Sequence, residues 1–224
     1  MDNDAIKAIW ETVDIISALI ETIDLVTSES TKNRGRFAQG LKAEARSLWS
    51  GVTTRAEFEN AMTRIVERGL KQAWNKGFMD YGITPDEQAD DERQYIFNYT
   101  LDQWQYIDGL ASFIADNTRA NKGKLKDINA RIELWIRRYD TIYNEAKARA
   151  AGNQKLEWVL GVAEHCSSCV KLNGQVRRGS FWIGNGILPA VPNADYLECK
   201  GYKCKCTLQP TSKRMSRGPL PRLP

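Results

Sequence analysis

The residues best suited to chemistry are five cysteines, all at or beyond position 166: His165-Cys166-Ser167-Ser168-Cys169, then Cys199-Lys200-Gly201-Tyr202-Lys203-Cys204-Lys205-Cys206. Two thiols at two-residue spacing, followed after about thirty residues by a second close cluster, are what a tetrahedral zinc site requires, with two short knuckles turning their sulfurs toward one ion. Zinc fits better than an iron–sulfur cluster, because Cys166-x2-Cys169 with an uneven distal trio matches neither common ferredoxin spacing. Disulfides are the main rival, since five thiols can form two bridges and leave one free, and unrelated buried thiols are the third reading. Disulfides call for an oxidising compartment, whereas the acidic start Met1-Asp2-Asn3-Asp4 is unlike a secretory signal and no apolar run reaches bilayer length, so no membrane span is expected.

Four ligands are needed and six donors stand near. Cys166, Cys169 and Cys199 are the first three. Cys204 is favoured as the fourth, with Cys206 and His165 as alternates, because residues two apart on a strand share a face and either sulfur can reach the ion. A catalytic zinc keeps an open position beside a Glu or His base, but His165 is the only histidine of the chain and sulfur alone can close the set. A structural zinc, supplying folding energy to a segment too short to build its own core, and no enzymatic role, are therefore expected. Glu164, beside His165, reads as a solvated loop carboxylate.

The elements that must position these thiols belong to a chain of 224 residues, 42% hydrophobic and 27% charged, suited to one principal core with a small appended module. Capping signals mark long helices in the N-terminal part. Asp4 can cap a first, strongly amphipathic and acidic helix to about Val26, with Ile6, Ile9, Trp10, Val13, Ile16, Leu19, Ile20 and Ile23 on its apolar face. Thr54-Arg55-Ala56-Glu57 is a capping box for a helix through Met62, Ile65, Val66, Leu70 and Trp74 that stops at Gly77. Thr84-Pro85-Asp86-Glu87 repeats the device, with proline at the first helical position, for a helix holding Tyr95, Ile96, Tyr99, Leu101 and Trp104. The clearest helix, about 124–151, carries Ile128, Ile132, Trp135, Ile136, Tyr139, Ile142, Tyr143 and Ala146 in one stripe and closes at Gly152. Tryptophans at helical spacing (Trp10, Trp49, Trp74, Trp104, Trp135) read as core.

After Gly152 the pattern changes. Leu156-Glu157-Trp158-Val159-Leu160 reads as a strand, and turn residues crowd together at Asn173-Gly174, Gly184-Asn185-Gly186, Pro189 and Pro192. The expected fold class is thus mostly α, with long N-terminal helices followed by a small, loop-rich α+β module of zinc-knuckle type. The expected division is a helical region over 1–123, a cysteine-bearing domain over 124–210 and a basic, proline-rich extended tail over 211–224. Residues 1–100 hold 12 Lys+Arg against 17 Asp+Glu, whereas residues 151–224 hold 11 against 4. The second stretch is the part suited to phosphate, through Arg177, Arg178, Lys200, Lys203, Lys205, Lys213, Arg214 and Arg217, although no groove-reading helix accompanies them.

These residues, in order, resemble a known family. Arg131-Ile-Glu-Leu-Trp135-Ile-Arg-Arg-Tyr139, Leu156 to Leu160, His165-Cys166-Ser-Ser-Cys169-Val-Lys-Leu172-Asn173-Gly174, Pro189 and the closing Cys204-Lys-Cys206-Thr-Leu208 look like the C-terminal domain of phage Mu protein F type minor head proteins. The likeness covers about residues 125–210. That family more usually has a His-Pro pair before the closing Cys-x-Cys; here the segment reads Leu197-Glu198-Cys199, so the resemblance implies that Cys199 stands in for the histidine as a ligand. It further implies a minor capsid or head-morphogenesis protein, resident in the virion at the head interior or portal vertex and in the host cytoplasm during assembly. Its partners would be portal and capsid or scaffold proteins, and possible contact with packaged DNA would run through the basic module. Two other classes compete. A zinc-dependent nucleic-acid-binding protein or nuclease needs a carboxylate cluster, for which Asp86, Glu87, Asp90, Asp91 and Glu92 are the dense acids; a host DNA-binding regulator needs a reading helix.

Overall fold

The computed structural model describes residues 32–201 and 204–224, so the expected helix from Asp4 to Val26 lies outside the described residues. Helix α1 runs across 32–50 and buries Phe37, Leu41, Ala45 and Leu48 on one stripe. It has no counterpart among the sequence expectations, because Gly35, Gly40 and several alanines dilute its apolar pattern. The Thr54 capping box forms as expected: the Thr54 N–H donates to Glu57 Oε2 at 2.8 Å and the Glu57 N–H donates back to Thr54 Oγ1 at 3.3 Å. It opens α2, Arg55–Met79, which passes through Gly77 rather than stopping there. Gly77 serves packing instead. A Cβ at this position would lie 2.5 Å from Ala146 Cβ and 2.8 Å from the Tyr143 carbonyl, so the missing side chain lets two helices touch.

The second box, at Thr84, caps only a 3-10 turn, Pro85–Glu87. Its helix does not continue because the next residue, Gln88, turns inward to accept from Trp74 Nε1 and to donate to Asn75 Oδ1, both at 3.2 Å. Helix α3, Asp90–Asp116, begins afresh with Ala89 as its cap. Helix α4, Leu125–Ala151, ends at Gly152 as the stripe predicts. Helices α1 to α4 enclose one core in which Phe58, Met62, Val66, Leu70, Trp74, Ile114, Ile128, Ile132, Ile136 and Ile142 are buried. Each fully buried aliphatic side chain of this kind stabilises the fold by about 1.5–3 kcal/mol before entropy is counted. A two-pronged ion pair from Arg34 to Asp140, at 2.6 and 2.7 Å, pins α1 to α4.

Beyond Gly152 the chain builds a second, smaller core. Strand β1, Lys155–Val159, is the centre of a three-stranded antiparallel sheet in the order β2-β1-β3, flanked by β2, Val176–Arg178, and β3, Thr207–Pro210. Leu156 and Trp158 alternate inward from β1, opposite Arg177 and Leu208 respectively. Two short helices, α5 (Ser167–Leu172) and α6 (Gly179–Gly184), complete the module, and Trp158 meets Trp182 at 5.8 Å between ring centres. Helix α4 serves both cores: Ile128 through Ala146 face the first, Ala148 and Ala151 the second. Thr141 Oγ1 also donates to the Ala190 carbonyl at 2.8 Å.

The C-terminal residues are extended but not loose. The Ser216 N–H donates to the Val176 carbonyl at 3.0 Å, Arg177 donates to the carbonyls of Ser216 and Gly218, and Leu220 and Leu223 pack on the second core. Arg177 is thereby buried inside the module, occupied in strapping down the tail, and stands apart from the basic surface that sequence placed it in. Among the described residues, no helix is long and apolar enough to cross a membrane.

Candidate metal centre

Three segments deliver the cysteines. Cys166 caps α5 and Cys169 lies in its first turn, so the x2 spacing brings both sulfurs to one end of a six-residue helix. Cys199 lies in the loop before β3. Cys204 and Cys206 follow that loop into β3, with Cys206 adjoining its first residue, Thr207. Cys169, Cys204 and Cys206 are buried, Cys166 and Cys199 half-buried, and all five are free thiols.

The loop is held to α5 by a reciprocal clasp. The Ser167 N–H and Oγ both donate to Glu198 Oε2, at 3.0 and 2.6 Å, while the Glu198 N–H donates to the fully buried Ser168 Oγ at 3.0 Å. These donors, the Ser167 hydroxyl first, hold the Glu198 carboxyl below its ordinary range. The clasp fixes Cys199 against Cys166 and Cys169. Gly201 allows the same loop to turn back, for its φ is +75° and a Cβ there would meet the Val191 carbonyl at 2.0 Å.

The sulfurs fall into two triads, Cys166–Cys169–Cys199 and Cys169–Cys204–Cys206, each with its ligand atoms within 4.8 Å of one another. Cys169 belongs to both. Its Sγ lies 3.8 Å from Cys204 Sγ, which is the edge of a tetrahedron of thiolates at a zinc–sulfur distance of about 2.3 Å, roughly 3.8 Å. His165 Nδ1 sits 3.9 Å from Cys206 Sγ.

The electrostatics suit a cation. Donation from Cys169 and then Cys204 holds the Cys206 thiol down, to about 3, whereas the Cys169 thiol is held up because it donates to Cys204 and Cys206. Ionising several sulfurs this close together is opposed by their mutual repulsion, and a positive ion among them would relieve it. The buried indole N–H of Trp158 has no hydrogen-bond partner among the described residues; it lies on the Cys206 side of the cluster, where it and the Gly161 N–H favour the thiolate form of that sulfur. N–H groups aimed at a sulfur are the outer support a metal-bound thiolate takes. Donor type, spacing and outer support therefore fit a thiolate-bound metal ion.

Every cysteine singled out from sequence comes into this cluster, and His165 touches its edge. Sequence reasoning did not find Glu198, Ser167, Ser168 or Trp158. The only signal was position, two serines inside the Cys-x2-Cys and a glutamate beside Cys199.

Other candidates disperse. Glu164 is exposed. Of the dense acids, Glu87 is bound to Thr84, Asp90 pairs with Arg93, and Glu92 turns inward to Arg149 at 3.6 Å, its carboxyl raised by burial. Among the described residues, the side chains close enough to share an ion are cysteines. Lys213 pairs with Glu157 at 2.6 Å. Lys200, Lys205, Arg178, Arg214 and Arg217 are exposed. No family model, no curated protein and no solved structure matches this chain.

Proposed function

We propose that this chain is a non-catalytic assembly protein of the phage Mu protein F minor head type, with a module folded around zinc. The observation that carries the reading is the convergence of the family-like motifs. The Trp135 helix runs directly into the Trp158 strand, and the Cys-x2-Cys and the closing Cys-x-Cys come together in one sulfur cluster within the core that Trp158 and the loop after Pro189 share, a linear order of weak motifs in one folded unit. In this reading the zinc is structural, since its donors are cysteine sulfurs, the ligand set of structural sites.

The partners are portal and capsid or scaffold proteins, met through the amphipathic acidic segment before residue 28 and through the helical part. Exposed lysines and arginines of the module face packaged DNA or an acidic capsid lining, and the protein resides at the head interior or portal vertex after assembly in the host cytoplasm.

Sedimentation of tagged full-length chain, expressed during phage production, tests this. It should travel with procapsids, and deletion of residues 1–28 should release it while leaving its zinc content intact. A chain that stays in the soluble fraction while procapsids assemble normally would overturn the reading.

A further inference from the structure

We propose that the cysteine cluster binds two metal ions that share the Cys169 sulfur as a bridge. This rests on the reading of the cysteines as metal ligands and changes the number of ions they hold.

A single tetrahedral site has four sulfurs, each facing three others at one edge length. The present cluster has a different graph. Cys169 has four sulfur neighbours, and these divide into Cys166 with Cys199 on one side and Cys204 with Cys206 on the other; among the described residues the two triads share Cys169 and no other atom. A thiolate has lone pairs enough for two cations, so a sulfur at the common vertex of two three-sulfur faces is placed to bridge.

The donor count agrees. Cys166, Cys169 and Cys199 serve the first ion; Cys169, Cys204 and Cys206 serve the second. His165 Nδ1 lies 3.9 Å from Cys206 Sγ but not within 4.8 Å of all three sulfurs of the second triad, so the second ion, like the first, is held directly by three sulfurs, with His165 at the rim of its fourth place. The fourth place of the first ion falls on its half-buried side, at Cys166 and Cys199, where water reaches it. Five thiolates around two divalent ions leave a net charge of −1, against −2 for four thiolates around one. The smaller residual charge suits a site with three buried sulfurs. On loading, each ligating S–H gives its proton to the solvent, and no electron is transferred.

The test is native mass spectrometry with elemental analysis of the full chain, purified under reducing conditions without chelator and titrated with Zn²⁺. Two ions per chain in the unsubstituted protein, falling to one in Cys206→Ser, is the expected result, because the Cys166–Cys169–Cys199 face survives that change. Loading with ¹¹³Cd²⁺ should give two resonances. One ion per chain in the unsubstituted protein overturns the bridge and leaves a single metal site standing; none overturns both. The unsubstituted stoichiometry decides the matter even where the variant fails to fold.

Discussion

At the scale of single residues, the group with the most leverage over the cysteine cluster is Glu198, which binds no metal. Its carboxylate accepts both donors of Ser167 and its own N–H reaches Ser168, so it sets the distance between the α5 end and the Cys199 loop. Glu198→Ala is expected to weaken zinc binding by about 10–100-fold, the cost usual for losing an outer support, with the bound stoichiometry unchanged. Glu164→Ala, an exposed carboxylate two residues from Cys166, should leave affinity as it was. Competition with a coloured chelator reads both, and equal affinities for the two variants would remove Glu198 from its positioning role. The cysteines were legible beforehand because thiolate donors at knuckle spacing are a property of residue type and count. Glu198 was not. Its partners lie about thirty residues away, and a carboxylate next to a cysteine looks the same in sequence whether it clasps a helix or faces water.

At the scale of elements, Gly77 and Gly109 make a matched contrast. Both lie inside long helices, but a side chain at Gly77 would strike Ala146 and the Tyr143 carbonyl, whereas Gly109 has nothing within 4 Å of the position its Cβ would occupy. Gly77→Ala should therefore destabilise by about 1–3 kcal/mol through overpacking, and Gly109→Ala should stabilise by roughly 0.5–1 kcal/mol through helix propensity alone. Thermal melts of the two variants should move in opposite directions, and a stabilised Gly77→Ala would show that α2 and α4 are not in contact there. The same position shows where element reading succeeds and fails. Capping at Thr54 and the stripe of α4 were legible because local hydrogen bonding and helical period act within a few residues. A glycine near the end of a pattern signals a stop or a close crossing equally well, and only the neighbouring helix decides between them. Gln88 splits the expected third helix for a like reason, since its side chain is drawn to Trp74 across the core. Helix α1 escaped because four apolar residues spread among glycines and alanines give little periodic signal.

At the scale of the whole molecule, two hydrophobic cores share one helix, and only the smaller contains cysteine. The helical core, from Phe37 to Ala146, holds no cysteine, while Cys169, Cys204 and Cys206 lie inside the second beside Leu156, Trp158 and Trp182. A small core with few strands has little stability of its own, so a metal bound by its thiolates would supply a large share of its folding energy. Stripping the metal with a strong chelator under reducing conditions should then unfold the module alone. Near-ultraviolet dichroism from the Trp158–Trp182 pair should collapse, while the far-ultraviolet helical signal persists and melts at nearly the temperature of the metal-loaded protein. Hydrogen exchange places the boundary more finely. Amides of β1, α5 and the last turn of α4, where Ala148 and Ala151 face the second core, should lose protection together, and those around Ile128 to Ile142 should keep it. One cooperative transition carrying both signals down on chelation would mean that α4 transmits the loss across its whole length and that the metal stabilises the entire chain rather than its C-terminal module.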